Sequence, residues 1–298
     1  MRSEGDDVTV LSPPDGDGDV RVPFFGGRPF FRALRVGGQF DRLVVHFQPA
    51  LYFRPRAPLS KVMTSAGLLA LVLFRRDRAE ILIHEADPPR RWRPDYVLLR
   101  LAFARAGRVW FHTEAEREAL QRDYRVRVRG QIVSHLVLPH GLVQREDARV
   151  ELGLPAGETV FLCAGFLQAS KGFDRAVRAF RAADGGSLYI VGSVRERTAE
   201  NEAYARALAR EVEGVPGVTF VERFLSDREF DLWVAAADWL VLPYRRSWSS
   251  GVLARAQALG TPAIVTDVGG LAEQAGMKDV VVKDDEELAR AFRAAVAA

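Results

Sequence analysis

The segment from Tyr244 to Glu273 constrains the fold of this chain more than any other part of the sequence. Its letters, YRRSWSSGVLARAQALGTPAIVTDVGGLAE, predict a loop, a helix, a short buried strand and the start of a second helix. Ser249, Ser250 and Gly251 are residue types that helix N-termini prefer. The N–H groups of a first helical turn lack internal partners and attract anions. We therefore expect a phosphate site at this helix start.

A pair of glycines follows the short strand of the same segment. Thr261–Pro262 ends the predicted helix, Ala263–Thr266 forms the strand, and Gly269 and Gly270 turn the chain into the next helix. Two glycine-containing helix starts at the carboxyl ends of neighbouring strands would form a site for a diphosphate or a sugar nucleotide.

The whole chain alternates predicted strands and helices, a pattern that favours parallel β-sheets. Strands are predicted at Val8–Leu11, Leu43–Phe47, Ile81–His84, Arg108–His112, Ser134–Leu138, Val160–Ala164, Leu188–Val191, Val218–Val221, Trp239–Leu242, Ala263–Thr266 and Val280–Val282. Helices are predicted at Lys61–Phe74, Asp95–Ala106, Ala115–Tyr124 and Asp174–Ala183, and an irregular stretch at Phe24–Arg35. The charged stretch Gln144–Glu151 marks a boundary, so we expect two domains, 1–145 and 146–298.

Composition narrows the class of protein. The 298 residues are 48% hydrophobic and 27% charged, as in a soluble globular protein. Cys163 is the single cysteine and lies in an apolar strand, which predicts a core residue and a reducing, cytoplasmic compartment. Met1–Asp7 is acidic and polar, unlike a signal peptide. The apolar run Ala66–Phe74 is far shorter than the roughly 20 residues that span a bilayer.

Positive charge is concentrated in the first half of the chain. Residues 1–145 contain 24 Lys+Arg and 16 Asp+Glu, whereas residues 146–298 contain 18 and 23. A basic first half fits an anionic acceptor or peripheral contact with the inner, acidic face of a membrane. A solvated arginine-rich surface is the alternative. Nucleic-acid binding is not indicated, because aromatic residues are not interleaved with basic ones.

Three segments carry a family resemblance. They are LPHG (residues 138–141), CAGFLQASKGFDRAVRAF (163–180) and SSGVLARAQALGTPAIVTDVGG (249–270). In order and rough spacing they resemble motifs of glycosyltransferase family 4: I-P-[NH]-G, then G-R-L-x-x-x-K-G, then the donor-site segment. The resemblance is strong over 138–275 and weaker over 1–137. It implies the GT-B fold, an α/β architecture of two facing doubly wound Rossmann-like domains with parallel sheets.

The resemblance also implies an activity. Family members transfer a sugar from a nucleotide-sugar co-substrate, with retention of anomeric configuration, to an acceptor that is here unknown: a saccharide, a lipid-linked group or a small molecule. It implies no separate cofactor. No Cys/His/Asp cluster has ligand spacing, so we expect no metal. The implied donor phosphate and sugar residues are Gly165, Lys171, Ser247, Ser249, Ser250 and Gly251, with Arg245, Arg246, Arg255, Gly269 and Gly270 as further candidates.

Several positions depart from the family pattern. Phe166 stands where the family has the arginine of its glycine-rich loop. The paired glutamates of the family, spaced E-x7-E, fall at Ser247 and Arg255. Arg255 cannot accept a hydrogen bond, so recognition of the ribose hydroxyls must come from elsewhere. The family's opening strand with its glycine-rich loop and its final crossing helix have no counterpart in the pattern, which we interpret as either a compact variant or a sequence shortened at both ends.

His84 is the candidate catalytic residue of the first half. It ends the apolar strand of ILIHEADPP, next to Glu85, and ligands bind at the carboxyl ends of parallel strands. Family members commonly have a histidine in this region that faces the donor sugar, and Glu85 is a lesser candidate as a base or hydrogen-bonding group. A structural polar contact is the alternative for His84. His46 and His112 also end predicted strands.

Two other functions fit the sequence less well. A catalytically silent protein that binds a sugar nucleotide or a partner is favoured by the lost glutamates and opposed by Lys171 and the His84–Glu85 strand end. A sugar-nucleotide epimerase also uses two facing doubly wound domains, but the S-K-G-F-D and G-T-P segments fit the transferase better.

Overall fold

The computed structural model describes residues 5–54, 56–85, 87–135, 137–141, 143–183, 185–195 and 197–297. They form two compact units that divide between Val133 and Ser134, earlier than the boundary predicted after residue 145. The segment that follows Val133 belongs to the second unit because it bonds there. His135 Nε2 lies 2.9 Å from Ser249 Oγ, and the His140 amide donates to the Asp231 carboxylate.

The first unit has a parallel sheet in the strand order β3-β4-β5-β6. Its elements are β1 (Leu11–Ser12), β2 (Val20–Arg21), α1 (Arg28–Val36), β3 (Leu43–Phe47), α2 (Pro49–Tyr52), α3 (Pro58–Phe74), β4 (Ala79–Ile83), α4 (Pro94–Arg105), β5 (Arg108–Phe111), α5 (Glu114–Tyr124) and β6 (Gly130–Ile132). Buried side chains alternate at the end of β3 and along β5, as expected when one face of a sheet packs against helices, whereas β4 is buried at every position except Leu82. Strands β1 and β2 form a separate parallel pair.

Three secondary-structure predictions for the first unit are wrong. The strand expected at Val8–Leu11 shares only Leu11 with β1. The stretch expected to be irregular contains α1, which begins next to Pro29 and buries Phe30 against the core. The last strand lies at Gly130–Ile132 rather than at Ser134–Leu138, of which residue 136 lies outside the described residues. Gly130 fixes this register, because a Cβ there would lie 2.5 Å from the Phe111 ring on β5.

The second unit has a parallel sheet in the strand order β12-β11-β10-β7-β8-β9. Its elements are α6 (Arg145–Leu152), β7 (Val160–Ala164), α7 (Phe173–Phe180), β8 (Ser187–Gly192), α8 (Ala199–Val212), β9 (Val218–Glu222), α9 (Asp227–Ala236), β10 (Trp239–Leu242), α10 (Gly251–Leu259), β11 (Ala263–Thr266), α11 (Leu271–Gln274), β12 (Val280–Val282) and α12 (Asp285–Ala297), with a 3₁₀ turn at Ala169–Lys171. The predicted parallel pairing of these strands is confirmed.

The order of the second sheet identifies where a ligand would bind. The chain starts at β7, proceeds to β8 and β9 on one side, and then returns to β10 on the other. Such a doubly wound sheet binds ligands outside the carboxyl ends of the strands, where the order reverses. The reversal lies between β7 and β10. Strand β7 is buried throughout, and Cys163 within it is a core residue as predicted, with a thiol pKa raised by burial.

Candidate functional site

The loops after β7 and β10 are joined side by side at the point where the strand order reverses. Ser170 O accepts a hydrogen bond from the Arg245 amide at 2.9 Å. Gly172 has a φ of +63°, and a Cβ on it would lie 2.2 Å from Pro243 O, so the contact requires glycine. Gly165, at the start of the first loop, faces the first turn of α10, since a Cβ there would lie 4.0 Å from Val252 Cγ2.

The predicted helix start is present and capped. Ser250 is the N-cap of α10, and its Oγ accepts from the Leu253 amide at 3.2 Å. Its own amide donates to Gln274 Oε1 at 2.9 Å, so that amide is not available to a ligand. The Gly251 and Val252 amides have no hydrogen-bond acceptor among the described residues. These two amides, rather than that of Ser250, are the donors that α10 offers to an anion.

The glycine pair after β11 has a packing role. A Cβ on Gly269 would lie 1.8 Å from Ser247 O, and the Gly270 amide donates to Trp248 O at 3.0 Å. The next amide, that of Leu271, donates to Val268 O at 3.2 Å. Because these amides are already used, the pair holds the loop after β10 in place and offers little to a second phosphate.

Lys171 is the cation of this region that lacks a counterion. Its Nζ lies 3.9 Å from the centroid of the buried Tyr244 ring, a cation–π contact. No carboxylate among the described residues is within ion-pairing distance of it. An ammonium without a carboxylate partner and a pair of helix N–H groups without acceptors are each suited to binding an anion.

The serines of the loop after β10 are held by local hydrogen bonds. Ser247 Oγ donates to Ser249 O at 2.9 Å, and Ser249 Oγ lies 2.9 Å from His135 Nε2. Both hydroxyls therefore shape the loop that leads into α10.

Arg245 is committed to a carboxylate rather than free for a ligand. Its guanidinium donates to both Asp174 oxygens, at 2.7 and 2.5 Å. Burial alone would raise the pKa of Asp174, but the hydrogen bonds from Arg245 and Arg178 outweigh it and hold the pKa well below its usual range. The neighbouring Arg246 is exposed, and its amide lies 3.4 Å from Ser170 O.

Arg255 is also engaged in ion pairs, and its partners explain why an arginine is tolerated at this position of α10. Its Nε lies 2.6 Å from Asp231 Oδ1, and its Nη1 lies 3.3 Å from Asp227 Oδ1. Asp231 is buried on α9 and also accepts from the His140 amide at 2.8 Å. Arg255 thus ties α10 to α9 and neutralises a buried carboxylate.

The carboxyl end of the first unit's sheet carries a row of histidines. His46 Nδ1 lies 3.0 Å from His84 Nε2, and the His84 ring centroid is 5.2 Å from that of His112. Burial lowers the pKa of His46 and of His112, so both favour the neutral imidazole. The predicted candidate Glu85 is exposed beside this row. The rings of His46 and His84 stack, and no metal-binding group is found among the described residues.

A cavity of about 660 Å³ opens at the ends of β8 and β9, beside the loop after β7. The side chains that line it include Phe166, Arg195, Arg197, Glu222 and Phe224. The guanidinium of Arg195 lies over the Phe166 ring, 5.1 Å from its centroid. Among the described residues, neither Arg195 nor the Glu222 carboxylate has an ion-pair partner. The cavity therefore offers flat aromatic surface, positive charge and one free carboxylate.

The sequence predicted the two loops but not the residues that bond to their side chains and amides. Asp174, Asp231 and Gln274 decide which predicted groups are already bonded, and the cavity residues Arg195 and Glu222 were not singled out. Asp231 had a visible signal, because a single carboxylate within the apolar run of α9 indicates a buried ion pair. The cavity had no such signal in the sequence, because its walls form where the ends of three strands meet in the folded unit.

Comparison with known proteins identifies relatives of this chain. Residues 158–297 match the family model Glycosyl transferases group 1. The chain is 32% identical over 165 residues to D-inositol 3-phosphate glycosyltransferase 1 of Catenulispora acidiphila, covering 51% of this chain and 39% of that protein. It is 31% identical over 217 residues to the D-inositol 3-phosphate glycosyltransferase of Nocardiopsis dassonvillei, covering 67% and 48%. The chain thus spans less than half the length of these curated relatives.

Solved structures share the fold. Sucrose-phosphate synthase from Thermosynechococcus elongatus matches with a TM-score of 0.69 and 20% identity, over 90% of this chain and 67% of that one. Anabaena HepE in complex with UDP-glucose matches with a TM-score of 0.67 and 15% identity, over 89% and 71%. WaaG, a glycosyltransferase involved in lipopolysaccharide biosynthesis, gives 0.63 and 19%, over 93% and 88%. The chain has the parallel α/β fold of GT-B glycosyltransferase structures, as the sequence predicted.

We expect Arg255→Ala to lower the free energy of unfolding by about 3 kcal/mol, because it leaves the buried Asp231 carboxylate without its ion-pair partner. Urea denaturation measures this change. Arg293→Ala is the control, since Arg293 is exposed on α12 and has no ion pair among the described residues. A double variant, Arg255→Ala with Asp231→Ala, should lose less than the single variant. Equal losses for Arg255→Ala and Arg293→Ala would contradict this assignment.

Proposed function

We propose that this protein transfers a sugar from a nucleotide-sugar donor to an acceptor, because residues 158–297 match the family model Glycosyl transferases group 1. The observation that carries the proposal is Lys171, a cation without a carboxylate partner among the described residues, at the reversal of strand order. That is where a doubly wound sheet binds nucleotides. The structures of Anabaena HepE in complex with UDP and with UDP-glucose agree with a donor of this class.

The donor diphosphate would bind at Lys171 and the first turn of α10. Cleavage of the bond to the sugar leaves negative charge on the departing diphosphate, which oriented cations and N–H groups stabilise. Lys171 supplies the ammonium, and the Gly251 and Val252 amides supply helix N–H groups. Protein groups alone would fill this role, without a cofactor or a metal ion.

The nucleoside part of the donor would occupy the cavity beside this site. Phe166 and Arg195 offer a stacking surface for a planar base. Glu222 lines the same cavity and can accept hydrogen bonds from vicinal ribose hydroxyls. It would replace the family's second glutamate, whose position is held here by Arg255.

His84 is the residue that we propose acts at the sugar. His84 lies directly after β4, within the row of strand-end histidines. An imidazole there can hydrogen-bond a sugar hydroxyl or stabilise charge at the anomeric centre. We propose transfer with retention of configuration, in the cytoplasm or at the inner face of a membrane, to a saccharide, a lipid-linked group or a small molecule. No described helix combines the length and hydropathy that a bilayer-spanning segment requires.

One observation favours a second candidate, a silent protein that binds a sugar nucleotide. Arg255 and Ser247 stand in place of the family's glutamates, and both are engaged in internal contacts. Incubation with a panel of labelled sugar nucleotides, with and without lipid acceptors, separates the two functions. Release of nucleoside diphosphate supports transfer, and saturable binding without release supports the silent protein.

We expect Lys171→Ala to weaken binding of a nucleoside diphosphate about tenfold or more, because a hydrogen bond to a charged group contributes about 1.5–3 kcal/mol. Titration calorimetry on the folded variant measures this. Lys278→Ala, at an exposed lysine of the same unit, is the matched control. Gly251→Val tests the helix start independently, since a Cβ at Gly251 meets no atom within 4 Å and the valine would occupy only ligand space. Unchanged affinity in both variants would refute the diphosphate position.

We expect Glu222→Gln to reduce discrimination between a ribonucleoside diphosphate and its 2′-deoxy form. Loss of a charge-assisted hydrogen bond should lower that preference about tenfold. The ratio of the two dissociation constants is the measurement, and Glu213→Gln, at an exposed glutamate after α8, is the control. An unaltered ratio in Glu222→Gln would place ribose recognition elsewhere.

We expect His84→Ala to lower turnover about 100-fold, in the range of a positioned catalytic side chain. Affinity for nucleoside diphosphate should not change, because the proposed phosphate ligands all lie in the second unit. His84→Asn keeps a hydrogen-bonding group and should lose less activity than the alanine variant. Normal turnover by His84→Ala would make His84 structural and Glu85 the next residue to test.

A further inference from the structure

Helix α3 has an exposed apolar stripe. Leu59, Met63, Leu73 and Phe74 are 72, 45, 48 and 72% exposed, and they lie on one side of the helix, with Ala66 and Ala70 between them. The opposite side is buried against the core. The helix carries no charge between Lys61 and its last residue. An exposed apolar stripe of this length marks a binding surface rather than ordinary surface.

Helix α1 lies beside α3 and adds positive charge to this surface. The Gly27 amide at its start donates to Thr64 Oγ1 on α3 at 3.1 Å, and its Leu34 carbonyl accepts from Arg75, just after α3, at 3.0 Å. Its exposed residues, Arg28, Phe31, Arg32 and Arg35, follow helical spacing and form one stripe. The basic stripe of α1 therefore flanks the apolar stripe of α3.

Helix α4 also lies beside α3 and is similar in character. It packs against α3 and exposes Val97, Arg100 and Arg105. We call the outward surface of α1, α3 and α4 the helical face.

The positive charge of the helical face is not neutralised by carboxylates of the same helices. The only carboxylate in the three helices is Asp95, which is buried and paired with Arg93 at 2.8 Å. The five exposed basic residues of the face, Arg28, Arg32, Arg35, Arg100 and Arg105, have no ion-pair partner among the described residues. Basic residues of the second unit, by contrast, are often paired, as in Arg178–Asp174 and Arg228–Glu151.

We propose that the helical face docks on the surface of an anionic lipid bilayer. The apolar stripe would insert at the level of the acyl chain boundary, while the flanking arginines contact lipid phosphates. Long basic side chains suit this position because their stems cover apolar surface and their charged ends reach the headgroups. A second copy of this chain fits less well, since a two-fold contact would bring two sets of five unpaired cations together.

The test is co-sedimentation of the full chain with vesicles of phosphatidylcholine alone and of phosphatidylcholine with phosphatidylglycerol. We expect binding to the anionic vesicles only, weakened by added salt. Arg32→Ala with Arg35→Ala should weaken it about 25-fold, because each basic residue near an anionic surface contributes about fivefold. Leu59→Ser with Phe74→Ser should weaken it about tenfold or more, through loss of inserted apolar surface.

Matched control variants come from the second unit. Val150→Ser with Met277→Ser changes apolar side chains that are 82 and 106% exposed, and Arg210→Ala with Arg293→Ala changes exposed arginines. Both should bind vesicles like the unaltered chain. Equal binding to the two vesicle types, no binding, or equal effects of face and control variants would overturn the proposal. So would a dimer in light scattering that Leu59→Ser with Phe74→Ser dissociates. Nucleoside diphosphate affinity, measured in parallel without lipid, reports separately on the proposed donor site.

Discussion

The reversal of strand order between β7 and β10 is the constraint on which the candidate site depends. The connections that follow these two neighbouring strands run to opposite sides of the sheet. A crevice is therefore left at the carboxyl ends of the strands. In this protein the crevice is narrowed by backbone contact, because Gly172 lies directly against Pro243 O and Ser170 O accepts the Arg245 amide. These contacts fix the loop that carries Lys171 against the loop that leads into α10. A side chain at Gly172 would separate them.

The presence or absence of a carboxylate partner divides four basic residues of the second unit into two groups. Arg245 and Arg255 form ion pairs with Asp174 and Asp231, carboxylates that are well shielded from solvent, and act as structural ties between elements. Lys171 and Arg195 rest on the aromatic rings of Tyr244 and Phe166 and have no carboxylate partner among the described residues. A cation held by an aromatic face keeps its charge available to an incoming anion. The second group is therefore the one suited to a ligand.

The first unit presents two surfaces of different chemistry. The carboxyl end of its sheet carries the row of His46, His84 and His112, in which burial lowers the pKa of the outer two and favours neutral rings able to donate and accept hydrogen bonds. The helical face carries apolar residues flanked by unpaired cations. The neutral histidine rings suit a sugar donor, and the apolar residues flanked by cations suit a lipid surface. The proposed function thus uses polar groups at strand ends, and the proposed membrane contact uses the outer helices.

The sequence by itself determined the parallel α/β fold, the helix start at Ser250 and Gly251, and the glycine-rich loop with Lys171. These features depend on local periodicity, capping and turn chemistry, which a short stretch of residues specifies. Only the tertiary structure decided that Arg245 and Arg255 are committed, that the Ser250 amide is occupied by Gln274, and that Arg195 and Glu222 share a cavity. The sequence also misassigned α1 and the last strand of the first unit. In each case the outcome depends on a partner distant in the chain: Asp174 for Arg245, Asp231 for Arg255, and the Phe111 ring for Gly130. Whether a charge is free or paired is set by distance in space, which residue spacing along one chain does not encode.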